Sequence, residues 1–293
     1  MAEGEAMAFK DILVHLDGGP RSAIRLGVAV GLARRAGAHL TGVYVVDIPS
    51  AEFFYGAAMP LAAGGAERVV DQMRADAVAA AAPVEAGFRE LLRREGVEGG
   101  WRLVEGNLPA TVALHARYAD LTVLGQANPY EHRDGLGRGL GAVVVATLME
   151  AGRPVLAVPF AGDFPTLGER VLVAWNASRE AARAVNDALP LLREAASVTV
   201  LAVNPRRGIN GHGDVPAADI ALHLARHGVR AEAAHTVATD IPDGEALLSY
   251  AADIGADLIV CGAYGHSRAR ELVFGGVTRT LLAEMTAPVF LSH

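Results

Sequence analysis

The stretch that decides the fold is Asp257-Leu-Ile-Val-Cys-Gly262-Ala-Tyr-Gly265-His-Ser-Arg-Ala-Arg-Glu-Leu-Val-Phe-Gly275-Gly276-Val-Thr278. Its apolar start, Leu258 to Cys261, has the length and β-branched content of a buried parallel strand. A loop with glycines at both ends follows, and Val277 to Met285 is predicted to form a helix. Because the first turn of a helix leaves its N–H groups unpaired, this succession of strand, glycine loop and helix start predicts an anion-binding site.

Two better-known phosphate loops do not fit this stretch. The chain contains no Gly-Lys-Ser/Thr tripeptide, and a dinucleotide fingerprint follows the first strand, whereas this loop follows the last strand but one. The spacing Gly-x2-Gly-x9-Gly, followed by Val-Thr, instead resembles the ATP-binding loop of the universal stress protein family. The resemblance extends over nearly the whole chain as two consecutive copies, of which the second has the complete loop.

Length and composition favour a globular chain with a large core. The chain has 293 residues, of which 52% are apolar, so it is long enough for two domains. Its net charge of −7 gives no electrostatic footprint for nucleic acid or an anionic membrane. The single cysteine, Cys261, suits a reducing compartment. An acidic start and the lack of an apolar run of roughly 20 residues favour a cytoplasmic protein without a signal peptide or membrane span.

An internal repeat predicts two domains. Ile12-Leu-Val-His-Leu-Asp17-Gly aligns with Val171-Leu-Val-Ala-Trp-Asn176-Ala. Later, Arg153-Pro154-Val-Leu-Ala-Val aligns with Ala287-Pro288-Val-Phe-Leu-Ser. We therefore expect one domain over residues 1–160 and a second over residues 168–293, joined by a short linker of turn residues.

Strand-like runs alternate with helical patterns in each half, the order that builds a parallel sheet. We predict an α/β fold of two tandem flavodoxin-like (Rossmann-like) domains, each a five-stranded parallel open sheet with helices on both faces. The predicted strands lie near Asp11–Asp17, His39–Val46, Trp101–Glu105, Leu121–Gly125, Val155–Val158, Arg170–Trp175, Val198–Val203, Arg230–Thr236, Leu258–Gly262 and Val289–Ser292. The predicted helices lie near Arg21–Ala36, Glu67–Arg94, Pro109–Ala119, Ala142–Ala151, Arg179–Ala195, Pro216–His227, Asp243–Ile254 and Val277–Met285.

In an open sheet of this kind, ligands bind beyond the carboxyl ends of the strands, where the strand order reverses. We expect the first and fourth strands to flank that point. Asn176 ends the first strand of the second half, and Gly262 ends the fourth. Val203, at the end of the second strand, forms a side wall. The sequence therefore predicts one crevice built from three distant stretches.

The resemblance to the family implies a role for each of these positions. The residue at position 176 is usually an aspartate that holds the adenine, and Val203 would offer its backbone to the base. Gly262 and Gly265 would line the ribose and the phosphates. The phosphates would bind at the helix start, formed by Gly275, Gly276, Val277 and Thr278. The implied cofactor is ATP, or AMP or ADP, with Mg²⁺ beside the phosphates.

The second half departs from the family pattern at two positions. Asn176 replaces the aspartate, yet a carboxamide can still accept from the adenine amine and donate to a ring nitrogen. Gly276 stands where the family usually has serine or threonine, which removes a hydroxyl but keeps the backbone donor. Three nearby arginines either help to neutralise the phosphates or remain solvated charges paired with Glu271 or Glu284: Arg268, Arg270 and Arg279.

The first half has the opposite departures. It keeps the aspartate, Asp17, but its loop from Gly125 to Gly141 lacks the glycine spacing, and Val144 replaces Thr278. Two acidic side chains in that loop, Glu131 and Asp134, would repel phosphate, so we interpret this site as degenerate for ATP. The segment from Asp47 to Gly65 contains several aromatic residues. It either caps this crevice, or binds something apolar, or is a surface loop packed against the core.

Other motifs do not support catalysis or metal binding. The triplet His132-Arg133-Asp134 copies a kinase motif without its partner motifs, and no nucleophile elbow surrounds Ser267. Four histidines lie close in sequence without nearby cysteines, so zinc is not expected: His212, His223, His227 and His235. We predict no catalytic residues and no metal bound by side chains.

The last strand of each half would leave an edge with exposed pairing groups. Family members commonly associate through this strand, so the resemblance implies that the two copies pair within the chain as a pseudo-twofold monomer. Further association into a homodimer is compatible with this arrangement.

The leading hypothesis is a tandem universal stress protein that binds ATP or a related adenine nucleotide in its second half. Nothing in the sequence supplies a defined general base, so hydrolysis would be slow and the role would be stress sensing or regulation. The alternative is a stress-related scaffold or carrier that binds a lipid or a protein partner and no nucleotide.

Overall fold

The computed structural model describes residues 9–50, 65–127, 140–205, 215–263 and 276–293. In these ranges the chain forms a continuous ten-stranded sheet. The strands of the first half are β1 (Asp11–His15), β2 (His39–Val46), β3 (Gly99–Glu105), β4 (Leu121–Gly125) and β5 (Val155–Val158). Those of the second half are β6 (Arg170–Ala174), β7 (Ser197–Val203), β8 (Ala231–Thr236), β9 (Leu258–Gly262) and β10 (Val289–Ser292).

The described helices follow the predicted order, with one difference. They are α1 (Ser22–Ala36), α2 (Gly65–Glu95), α3 (Leu108–Ala116), α4 (Leu140–Glu150), α5 (Arg179–Asp187), α6 (Leu189–Glu194), α7 (Ala218–Arg226), α8 (Asp243–Asp253) and α9 (Gly276–Glu284). The prediction of a single helix over Arg179–Ala195 is wrong, because the helix is interrupted at Ala188, between α5 and α6. Pro190 has no N–H to continue the hydrogen-bond ladder of α5, so a new helix begins there.

The sheet has the order β3-β2-β1-β4-β5-β10-β9-β6-β7-β8. Within each half of the chain this 3-2-1-4-5 order matches the first five strands of the Rossmann fold, and it differs from the 2-1-3-4-5 order of flavodoxin. The predicted adjacency of the first and fourth strands is confirmed, since Val171 pairs with Leu258 and Ala174 pairs with Cys261. The strand order therefore reverses beside β6 and β9 in the second half.

The two halves join through their last strands. β5 and β10 are antiparallel, with Val289 opposite Ala157 and Leu291 opposite Val155, whereas the other strand pairs are parallel. This confirms the predicted pairing of the two copies within the chain. Phe290 lies at the centre of the junction and is fully buried, which contributes about 1.5–3 kcal/mol of hydrophobic stabilisation.

Helices cover both faces of the sheet. One buried cluster joins strand residues such as Val14 and Val260 to α1, α2, α5, α6 and α7. A second cluster joins alternate strand residues such as Leu172 and Cys261 to α3, α4, α8 and α9. Both clusters contain residues of both halves, so the core is continuous across the junction. Within the described ranges, no helix is both long enough and apolar enough to cross a membrane.

One carboxylate in each half fixes the start of its first strand. Asp120 accepts hydrogen bonds from the N–H groups of Lys10 and Asp11, at 2.8 and 3.1 Å. Asp257 does the same for Gly168 and Arg170, at 3.1 and 2.9 Å. Both acids directly precede the fourth strand of their half, so they hold the first and fourth strands in register.

Candidate functional site

A pocket with a cavity volume of about 190 Å³ lies where β6, β7 and β9 end. It opens on the sheet face that carries α8 and α9, because its walls include Leu201, Leu247 and Cys261 of that core cluster. Six of the predicted site residues line it together: Asn176, Val203, Gly262, Gly276, Val277 and Thr278. The other two predicted residues, Gly265 and Gly275, lie outside the described residues.

Three helix starts meet at this pocket. Ser178 is the N-cap of α5 and accepts from the N–H of Ala181 at 3.1 Å, whereas Asp243 and Gly276 are the first residues of α8 and α9. The first turn of α5 contains Glu180, and that of α8 contains Asp243 and a second acid. The first turn of α9 contains no acidic residue. Of these three helix starts, α9 therefore presents the field that favours an added anion.

Asn176 takes part in a tight turn at the end of β6. Its Oδ1 accepts a hydrogen bond from the N–H of Ser178 at 3.1 Å. Ala177, between them, has a φ of 58°, a left-handed conformation that costs a residue with a side chain on the order of 1–3 kcal/mol. Because the carboxamide oxygen already accepts this bond, the group that Asn176 offers a ligand is chiefly its Nδ2 donor.

Val203 presents its main chain beyond the end of β6. The N–H of Trp175 donates to the carbonyl of Leu201 at 2.9 Å, so the polar groups of Leu201 face β6. Those of Asn204 face β8, where its N–H donates to Thr236 at 2.9 Å. Polar groups alternate along a strand, so the N–H and C=O of Val203 face the side where β6 has ended. A planar base at that position would meet both groups.

Gly262 lacks a side chain for a reason that the sequence did not reveal. A Cβ at this position would overlap the main chain of Glu180 and Ala181 at the start of α5. The glycine therefore permits close packing on the face opposite the pocket. Next to it, Cys261 is buried, and burial raises the pKa of its thiol to about 12. The thiol therefore stays protonated.

The start of α9 has room for a side chain. None of the described atoms lies within 4 Å of a Cβ placed on Gly276. Packing within the described part of the chain therefore does not require glycine there. Thr278, two residues further on, is 4% exposed and lines the pocket.

The corresponding strand position in the first half carries a larger side chain. The strand registers put His15 at the position of Ala174, and His15 is 2% exposed. Burial, and then the charge of Arg25, lowers the pKa of His15 to about 3, although Asp17 opposes this change. The imidazole is therefore neutral and stands where the second half has the methyl group of a pocket wall.

Asp17 is bonded within the protein through both carboxylate oxygens. Its Oδ1 accepts from the N–H of Gly19, and its Oδ2 accepts from the buried Arg25, both at 2.8 Å. Burial raises the pKa of Asp17, but Arg25, His15 and the bond from Gly19 together lower it below its ordinary value. The aspartate that the resemblance assigns to adenine is thus occupied by an internal ion pair. The loop residues Glu131 and Asp134 lie outside the described residues.

One pocket residue with functional chemistry was missed in the sequence. Asp243 lines the pocket, and its Oδ1 accepts from Nδ2 of Asn204 at 2.7 Å. The available signal was an acid directly after Pro242, at a predicted helix start on the ligand-binding edge of the sheet. That signal is common at helix N-termini, and only the fold shows that this one faces the pocket.

The remaining candidates do not form a site among the described residues. The rings of His223 and His227 lie 4.6 Å apart, but no group of three or more histidine, cysteine, aspartate or glutamate side chains in the described ranges could hold a metal ion. Arg279 is exposed on α9. Arg268, Arg270, Ser267, His212, the triplet at 132–134 and residues 51–64 lie outside the described residues.

Comparison with known proteins supports this architecture. The model of the universal stress protein family matches residues 8–159 and again residues 168–293. The chain belongs to the universal stress protein family. No curated protein matches its sequence significantly.

Solved structures of universal stress proteins share the fold. One from Archaeoglobus fulgidus DSM 4304 has 15% identity and a TM-score of 0.72, covering 96% of this chain and 95% of its own. A putative universal stress protein from Pseudomonas aeruginosa UCBPP-PA14 has 14% identity and a TM-score of 0.59, covering 97% and 93%. Another, solved in complex with cAMP, covers 52% and 97% at 18% identity, and its TM-score of 0.32 carries no argument about this chain.

Proposed function

We propose that this universal stress protein binds ATP or a related adenine nucleotide in the pocket of its second half. The base would lie between Asn176 and Val203, and the phosphates would lie at the start of α9. A cavity of about 190 Å³ is smaller than the ~300–1,000 Å³ that encloses a whole ligand, so it suits the base and sugar with the phosphates at the mouth.

The observation that carries the proposal is the acid-free start of α9 at the edge of this pocket. A phosphate placed there meets unpaired N–H groups and the positive end of a helix dipole. At the start of α8 it would meet the carboxylate of Asp243, and the first turn of α5 contains the acid Glu180. The ligand therefore has one favoured direction, with its anionic end toward Gly276.

The described lining of the pocket favours binding over catalysis. Its ionisable side chains are Asp243, which bonds to Asn204, and Cys261, which stays protonated. Neither is arranged as a base for an attacking water, so any ATP hydrolysis would be slow. Within this proposal, occupancy of the site acts as a signal, and the role is stress sensing or regulation in the cytoplasm.

The test uses one position with two substitutions. Gly276→Asp adds a carboxylate at the helix start, where it favours the helix but repels phosphate. Gly276→Ser adds a hydroxyl of similar size without charge. Isothermal calorimetry should show that Gly276→Asp weakens ATP binding by at least about 100-fold (about 2.7 kcal/mol). Gly276→Ser should bind ATP at least as tightly as the parent chain.

Mass spectrometry of the ligand released from the purified protein supplies an independent check. The proposal expects an adenine nucleotide. Release of a lipid, together with no calorimetric response to ATP, would support the carrier alternative instead. Equal ATP affinity in Gly276→Asp and the parent chain would place the site elsewhere.

A further inference from the structure

We propose that Asp243 reads the exocyclic amino group of the bound base, and that Asn204 positions its carboxylate for this task. The inference rests on the proposed function and assigns adenine selectivity to a residue outside the strand ends and the glycine loop. It follows from the position of Asp243, from the way it is held and from a comparison with the first half.

Asn204 directly follows Val203, and it holds Asp243 rigidly. Asn204 has a φ of 46°, a left-handed conformation in which asparagine is the most tolerated residue after glycine. Its Oδ1 accepts from the N–H of Ala238 at 2.9 Å, and its Nδ2 donates to the carbonyl of Ala238 at 2.9 Å and to Asp243 at 2.7 Å. The carboxylate is therefore fixed next to the main chain of Val203, at the base end of the pocket.

The first half has an equivalent hydrogen bond between the end of its second strand and the start of α3, but there the acid lies on the strand. There the residue directly after the second strand is Asp47, which accepts from the N–H of Leu108 at the start of α3 at 3.1 Å. In the second half the strand end carries an amide, and the helix start carries the acid. This exchange places a carboxylate in the wall of the pocket.

An acceptor at this place compensates for the change at position 176. The carboxylate that ends β1 is replaced by an amide at the end of β6, and the amide oxygen is bonded to Ser178. A carboxylate has about four acceptor positions, of which Asn204 uses one. Asp243 can therefore accept from an amine on the base.

Other roles for Asp243 fit the structure less well. A phosphate would be repelled by it and is favoured at α9. The described residues offer no group of three ligands that would make it part of a metal site. A ribose hydroxyl is the remaining competitor, and the experiment separates it from the base.

The probes are ATP and inosine triphosphate, whose base has a carbonyl oxygen in place of the adenine amine and a proton on N1. The parent chain should bind ATP at least about 10-fold more tightly, because a carboxylate accepts from an amine but repels a carbonyl oxygen. In Asp243→Asn, the new Oδ1 can keep the bond from Asn204 and leave Nδ2 facing the ligand. The preference should then fall several-fold, and the part that remains would come from the main-chain groups of Val203.

The control is Asp240→Asn, an exposed acid three residues away with the same charge change, which should leave the ATP to inosine triphosphate ratio unchanged. An unchanged ratio in Asp243→Asn would overturn the inference while leaving the proposed function intact. A second result would also overturn the inference. If Asp243→Ala weakens the binding of both nucleotides equally but does not weaken the binding of 2′-deoxy-ATP, then Asp243 contacts the ribose. If neither nucleotide binds the parent chain, the proposed function itself fails.

Discussion

The two halves of this chain share strand order, helix layers and the acid that registers the first strand, yet they differ at one strand end. At the position that lines the pocket as Ala174 in the second half, the first half has the buried His15. The same fold therefore places a small side chain at this registered position in one half and a large buried one in the other, which changes the space at the ligand-binding edge of the sheet.

The two halves also differ two residues further along the chain, at Asp17 and Asn176. In the first half the strand-end carboxylate forms an ion pair with the buried Arg25, at 2.8 Å. In the second half the strand-end side chain is Asn176, which is exposed and bonds to the turn. The strand-end carboxylate of the first half is therefore engaged in an internal ion pair, and we expect this half to bind no nucleotide.

The largest expected effect comes from copying the first half into the second. Ala174→His should place an imidazole inside the pocket of about 190 Å³ and displace the base. We expect ATP affinity to fall at least about 100-fold in calorimetry, equivalent to about 2.7 kcal/mol. The thermal midpoint should change little, because the added ring occupies an existing cavity.

The matched variant for this exchange is His15→Ala in the first half. It should leave ATP affinity unchanged while lowering stability through the cavity it creates. If His15→Ala weakens ATP binding as strongly as Ala174→His does, the assignment of the site to the second half is wrong.

The next prediction concerns how His15 makes the stability of the chain depend on pH. The unfolded chain protonates His15 near its ordinary pKa of 6.5, but the folded chain does so only near about 3. Between these values the unfolded state binds more protons, so stability falls as the pH is lowered. The loss from this residue should be about 1.4 kcal/mol per pH unit between pH 6 and pH 4.

Urea unfolding followed by tryptophan fluorescence measures this slope. His15→Gln should remove about 1 proton from the linkage and flatten the curve over that window. An equally steep curve in the variant would show that other groups cause the acid sensitivity.

A smaller effect concerns the tie between the halves. Gln126, directly after β4, is 7% exposed and donates through Nε2 to the carbonyls of Leu282 and Ala283 at the end of α9, at 3.0 and 2.9 Å. Its Oε1 accepts from the N–H of Phe160 at 2.7 Å. The corresponding residue of the second half is Ala263, whose side chain cannot form an equivalent hydrogen bond to the first half.

Gln126→Ala should lower the free energy of unfolding by about 1–3 kcal/mol, because it removes two hydrogen bonds to α9 and the one from Phe160. Amide exchange in α9 should become faster. Gln72→Ala is the control, since Gln72 bonds to Asp76 on the exposed face of a single helix and should change stability by less than about 0.5 kcal/mol. Equal effects of the two substitutions would mean that the tie contributes nothing.

Much of this architecture was predictable because its causes are local. Apolar runs such as Leu258–Cys261 predict buried strands, and the repeat around Asp17 and Asn176 predicts two copies of one domain. The adjacency of the first and fourth strands then brings Asn176, Val203 and Gly262 to one edge without any knowledge of contacts. Pro190 was also a signal for a helix break, but the helical pattern continues on both sides of it, so a single helix was predicted.

The rest depends on contacts between distant segments. Nothing in the sequence near Gly262 shows that α5 packs against it, and nothing near Asp243 shows that Asn204 turns it into the pocket wall. The role of His15 likewise needs the register between β1 and its neighbours. The space at that strand end depends on the volume of the side chain at one registered position, which is His15 in the first half and Ala174 in the second.

The stoichiometry of ATP binding tests the central claim most directly. A calorimetric titration of the intact chain should give one nucleotide per chain, and Ala174→His should abolish the heat. Two nucleotides per chain, or a full isotherm that survives Ala174→His, would contradict the account.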